Sequence, residues 1–163
     1  MWRSIVGASS KVSGAFIVLE GPEGGGKTVQ ARRLATTLER AGHRVVLTRE
    51  PGGTAVGEAV RGILLGHHDY AILPETEALL MSAARAQHVR EVIVPAQERG
   101  AVVVCDRYVD STYAYQGGGR HLERNALATV QGFATGGIEP DLKLLLDLPV
   151  EIGLRRRHAD PAS

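Results

Sequence analysis

Eight consecutive residues, Gly21-Pro22-Glu23-Gly24-Gly25-Gly26-Lys27-Thr28, hold what a run of phosphate oxygens needs: glycines that let backbone N–H groups approach closely, a lysine, and a hydroxyl beside it. The spacing is the full Walker A pattern. In such a loop successive N–H groups point inward, and the helix that follows adds its positive end. Lys27 would reach the β and γ phosphates of a nucleoside triphosphate, and the Thr28 hydroxyl would complete the shell of a Mg2+ ion bound to them. The bland alternative is a glycine turn with no ligand; the elements on either side count against it.

Those elements are legible as patterns. Phe16 to Glu20 is a short apolar run closed by glycines, and Thr28 to Arg40 places Ala31, Leu34, Ala35 and Leu38 on one helical face. Arg44 to Thr48, Ala101 to Cys105 and Leu142 to Leu146 are further short runs rich in Val or Leu, which predict strands. Ala55 to Leu65 repeats apolar residues at helical spacing, with Gly66 as its C-terminal stop. Pro74 opens a longer helix through Leu79, Leu80 and Ala83, and Pro95 marks a break or restart before Gly100. Gly117 to Gly119 and Gly136 to Gly137 mark exposed turns. Alternating strands and helices predict an α/β fold: a mostly parallel sheet, helices on both faces, and ligands at the carboxyl ends of the strands.

The bulk properties narrow the setting. A chain of 163 residues is about one domain, read as residues 14–163 behind a flexible leader over residues 1–13 that has no assigned role. With 19 basic and 18 acidic side chains, a net charge of +1 gives no field that would recruit nucleic acid or a membrane. Cys105 has no second cysteine to pair with, which fits a reducing cytoplasm, and no apolar run has the length of a signal-peptide core or a membrane span. A switch GTPase would read guanine with Asn-Lys-x-Asp; the one asparagine, Asn125, is followed by Ala126.

Three more segments follow predicted strands: Thr48-Arg49-Glu50-Pro51-Gly52-Gly53-Thr54, Asp106-Arg107-Tyr108, and Ser111-Thr112-Tyr113-Ala114-Tyr115-Gln116-Gly117. With the phosphate loop, and in this order, they resemble the thymidylate kinase family from about Phe16 to the last residues. The resemblance implies a P-loop NTPase fold of the nucleoside monophosphate kinase type. It implies transfer of the γ-phosphoryl of ATP to dTMP with Mg2+, and a homodimer packed through helices. It assigns Arg49 to the acceptor phosphate, Pro51 to a loop whose preceding peptide is cis, and Arg85 to the thymine. Tyr115 would disfavour a ribose 2′-hydroxyl, with Ser111, Thr112 and Gln116 lining the same pocket. Glu23 would approach the acceptor sugar and help organise the phosphates. Asp106, at the end of a buried strand, could orient Mg2+ or its waters, and Arg107 could bridge the transferring phosphates.

Each role has a plainer alternative. Glu23 could be a solvated loop acid, Asp106 and Arg107 an ion pair capping the strand, Tyr115 core packing, and Arg85 part of a solvated helix face. The chain also departs from the family. Met81 stands where a phenylalanine commonly stacks on thymine, and Ala84 replaces the usual acid before Arg85. Asp147-Leu148-Pro149 opens a helix toward Arg155, Arg156 and Arg157, candidates for a lid that supplies transition-state charge, or else a solvated helix end. The rest of that lid, the last strand and a helix are absent from the 163 residues, so a truncated kinase with an exposed sheet edge is expected. A P-loop kinase for another nucleotide and a silent nucleotide-binding fragment are the competing readings.

Overall fold

The computed structural model describes residues 14–159; the leader expected over residues 1–13 lies outside them. In chain order the elements are β1 (Phe16–Glu20), α1 (Lys27–Arg40), β2 (Val45–Arg49), α2 (Ala55–Leu65), α3 (Pro74–His88), α4 (Val94–Glu98), β3 (Val102–Asp106), α5 (Val109–Thr112), α6 (Arg124–Thr135), β4 (Leu142–Leu145) and α7 (Val150–Ala159). The strands form one parallel sheet in the order β2-β3-β1-β4. The predicted α/β architecture is present, with strand boundaries shifted by a residue.

Side-chain alternation along β1 and β3 divides the core in two. Phe16, Val18, Val103 and Cys105 face one way, packing with Val89, Ile93 and Ala96 from the segment that follows α3. Leu19 and Val104 face the other way, onto Ala31 with Leu34 and Leu38 of α1. Both sheet faces are therefore covered, as parallel strands require. β4 is the exception. Among the described residues it pairs only with β1, and it leaves Leu142, Leu144 and Leu145 exposed at 48%, 37% and 72%. The exposed apolar edge expected from the sequence is thus present.

Of the break or restart expected at Pro95, the structure shows a restart without a break: α4 begins at Val94. The chain stays helical by widening into a π turn over Val89–Ile93, where the Val94 N–H reaches back to the Val89 carbonyl. Pro95 lacks an N–H and its ring would crowd the preceding turn of a regular helix; the wider turn makes room for it. Gly117 to Gly119, expected as an exposed turn, close a second π segment over Tyr113–Gly119. Gly66 does end α2, but in extended backbone (φ −69°, ψ 161°) and not in a left-handed cap. Among the described residues no helix is long and apolar enough to cross a membrane.

Ile93 is fully buried in the first core. Ile93→Ala is expected to lower the unfolding free energy by about 2–5 kcal/mol through lost transfer energy and a residual cavity. Denaturant titration checks this, and a loss below about 1 kcal/mol would place Ile93 outside the core.

Candidate active site

The loop between β1 and α1 leaves the start of the helix without side-chain partners. Gly26 caps α1 in left-handed backbone (φ 84°), no side chain bonds the first-turn N–H groups, and no acid stands in that turn. The free N–H groups and the helix dipole together attract an anion. Lys27 is buried, and its Nζ donates to the carbonyls of Gly21 (3.0 Å) and Pro22 (2.7 Å). Burial pushes its pKa down to about 8, and the positive Arg107 adds to that, while Asp106 and Glu20 oppose it. An anion beside Nζ would raise the pKa again.

β1 and β3 end side by side, with Leu19 opposite Asp106, so the phosphate loop and the Asp106 carboxylate share one edge. Thr28 Oγ1 donates to Asp106 Oδ2 at 2.6 Å, while Asp106 Oδ1 is buried without a partner. A hydroxyl and a carboxylate with a spare buried oxygen suit a hard divalent cation whose remaining ligands are phosphate oxygens and water. Arg107, the next residue, has φ 75°, rare for a side chain this large. Its N–H still bonds the Leu19 carbonyl (3.0 Å), while its guanidinium donates to Ser111 (3.2 Å) and lies 5.1 Å from the centre of the Tyr115 ring. The plainer alternative, an Asp106–Arg107 ion pair capping the strand, is absent among the described residues: the two side chains turn to Thr28 and to Ser111.

On the other side of β3, Arg49 lies opposite Asp106 in the β2–β3 register. Its guanidinium grips both oxygens of Glu58 on α2 (3.1 and 3.2 Å), and Glu58 also accepts the Gly53 N–H at 3.1 Å. Gly53 foremost, then Arg49, holds the Glu58 carboxyl below its ordinary range. One turn on, Arg61 donates to the Pro51 carbonyl (3.0 Å), and the Glu50–Pro51 peptide is cis as expected. Glu58 and Arg61 were missed in the sequence; their spacing of three on the helix that follows the loop was the available signal.

Arg85 is not on a solvated helix face: it is fully buried, with Nε on Glu50 (2.7 Å), Nη1 on Thr112 (3.0 Å) and Gln131, and Nη2 on the Tyr108 carbonyl (3.0 Å). Thr112 is thereby turned inward. Ser111 is buried too, donating to Glu20 at 2.6 Å. Glu20 also accepts the N–H groups of Tyr108 (2.8 Å) and Ser111 (3.3 Å), capping α5 from across the sheet edge, while burial raises its pKa. No sequence signal marked it beyond its place at a strand end. Gln116 donates to Glu77 (2.6 Å) and keeps a buried, unpartnered Oε1. Tyr115 is 39% exposed, so it is not core packing. Met81 lies half-buried one turn before Arg85.

The lid candidates divide. α7 packs backbone to backbone on the phosphate loop; a Cβ on Gly24 would collide with the Gly153 carbonyl oxygen. Arg157 pairs with Glu23, and Arg156 reaches the Gly24 carbonyl at 3.5 Å, while Arg155 is exposed. Glu23 is therefore an ion-pair partner of α7 here, not a solvated loop acid.

Removing Arg85 would strand a buried carboxylate. Arg85→Ala is expected to cost about 3–5 kcal/mol of stability in denaturant titration, and a loss under about 1 kcal/mol would contradict the buried network.

A family model described as Thymidylate kinase matches residues 19–161. A thymidylate kinase of Pseudomonas fluorescens (strain Pf0-1) is 57% identical over 148 residues, covering 91% of this chain and 70% of that relative. One from Geobacter sulfurreducens is 56% identical over 146 residues, covering 90% and 68%. Among solved structures, the crystal structure of thymidylate kinase from Ehrlichia chaffeensis superposes with a TM-score of 0.78 at 31% identity, over 91% of this chain and 83% of that one. On the family match, on these identities and on a sheet edge that carries the phosphate loop beside Asp106 and Arg49, the chain belongs to the thymidylate kinase family.

Proposed function

We propose that the protein transfers the γ-phosphoryl group of ATP to dTMP, yielding dTDP and ADP. The observation that carries this reading is the pairing of two phosphate-grade clusters across one strand end: Lys27, Thr28 and Asp106 on one side, Arg49 with Glu58 and Arg61 on the other. An oxygen of the dTMP phosphate attacks the γ-phosphorus; that P–O bond forms as the bond to the β–γ bridging oxygen breaks, and ADP leaves. The free N–H groups at the start of α1 and Lys27 hold the donor phosphates, Arg49 holds the acceptor, and Arg107 stands between them to bridge the transferring group. Thr28 and Asp106 would hold Mg2+, which supplies charge neutralisation for the donor phosphates.

Tyr115, Met81 and the spare Gln116 Oε1 are the groups we place against the nucleoside. The family relationship also supports a homodimer. Exposed apolar side chains stand on helices that pack on one another: Val56 on α2, Leu79 on α3 and Phe133, 84% exposed, on α6. The one cysteine, fully buried at Cys105, agrees with a reducing cytoplasm.

With ATP, Mg2+ and dTMP the chain is expected to release ADP, and Lys27→Ala to lower that rate about a hundredfold or more. Release with other nucleoside monophosphates but not with dTMP would refute the assignment. Binding should also move a proton. The Lys27 pKa of about 8 lies below the ordinary lysine value, so the unfolded chain binds more protons above pH 8 and this group's contribution to stability rises with pH there. Triphosphate beside Nζ reverses the shift, so at about pH 8.5 ATP binding should take up protons, seen as buffer-dependent heats in calorimetry and lost in Lys27→Ala.

A further inference from the structure

The buried imidazole of His88 has no part in the mechanism above, yet it touches three points of the loop that carries Arg49. His88 is fully buried at the end of α3. Its Nδ1 lies 2.9 Å from Glu50 Oε1 and its Nε2 lies 2.7 Å from Thr48 Oγ1. A carboxylate paired with a guanidinium can only accept, so Nδ1 carries a proton and donates it to Glu50. The Glu50 N–H continues the ladder to the Asp106 carbonyl (3.0 Å), so Thr48 and Glu50 lie on one face of the strand and Arg49, between them, on the other. The third point is Gly53: at φ 77° its backbone passes so close that a Cβ there would lie 2.8 Å from His88 Nε2. The ring is the floor of the turn that delivers the Gly53 N–H to Glu58, and Glu58 in turn grips Arg49.

We propose that His88 is a positioning residue for the acceptor: by bridging Thr48 and Glu50 beneath Gly53 it fixes the direction of Arg49 and so sets affinity for the dTMP phosphate. This rests on the reading of Arg49 as the acceptor-phosphate residue. A histidine that merely filled the core would affect both substrates alike, or neither, because the phosphate loop lies on β1 and makes none of these contacts.

The test is calorimetric binding of dTMP and of ATP with Mg2+ to the parent chain, His88→Leu, His88→Asn and Thr48→Val. His88→Leu is expected to weaken dTMP about tenfold or more, by removing a hydrogen bond to a buried charge and loosening the loop, while ATP stays within about twofold. His88→Asn keeps a donor at the Nδ1 position and should recover dTMP affinity to within about threefold of the parent. Thr48→Val should weaken dTMP alone, and it decides the matter if the leucine variant does not fold. Unchanged dTMP affinity in His88→Leu or in Thr48→Val, equal losses for both ligands, or an asparagine variant no better than leucine would overturn the role of His88. A parent chain that binds ATP but not dTMP would instead refute the acceptor reading beneath it.

Discussion

Glu50 and Arg85 meet at 2.7 Å with almost no part of either side chain in water, and that ion pair is the constraint on which the rest of the site depends. Burying two charges is costly unless their remaining lone pairs and protons are satisfied. Here His88 takes the other Glu50 oxygen, and Thr112, Gln131 and the Tyr108 carbonyl take the remaining guanidinium groups used. Each partner belongs to a different part of the chain, so satisfying the pair draws the end of β2, helices α3, α5 and α6 and the turn after β3 to one place. The same set of bonds aligns the Arg49 loop with the Arg107 turn.

Around this fixed centre the sheet edge is strongly cationic, although the whole chain is close to neutral. Lys27, Arg49, Arg61 and Arg107 stand near one another, and burial lowers the pKa of both Lys27 and Arg61, each with a neighbouring arginine adding to the shift. Such an array is unfavourable when empty and favourable when it meets two phosphate-bearing ligands, because charge repulsion becomes attraction without rearrangement. Glu20, Glu58 and Asp106 temper it. Glu58 aligns Arg49, Glu20 holds the α5 turn, and Asp106 holds Thr28 with one oxygen to spare.

What the sequence revealed follows the range of the interactions. The phosphate loop, the four strands and helix α2 are set by spacing within a few residues, and they stand where their patterns placed them. The family resemblance rested on the same local segments. The direction of Arg85, Ser111 and Thr112 was not legible, because the groups that turn them inward are distant in sequence: Glu50 and Gln131 are 35 and 46 residues from Arg85, and Glu20 is 91 from Ser111. A motif states which residues gather and not which way each one faces. The π turns were missed because each is a single widened turn inside an otherwise helical stretch, and Pro95, the nearest local sign of the first, also fits a break or restart.

The most direct test of the central claim, that one sheet edge holds donor and acceptor phosphates against each other, is a crystal structure of the chain with dTMP, Mg2+ and a non-hydrolysable ATP analogue. The expected result is the dTMP phosphate against the Arg49 guanidinium, the γ-phosphate at Lys27, Arg107 between them, and the metal ion beside Thr28 and Asp106. Electron density placing dTMP with its phosphate away from Arg49, or the triphosphate away from the loop of Gly21 to Thr28, would contradict it.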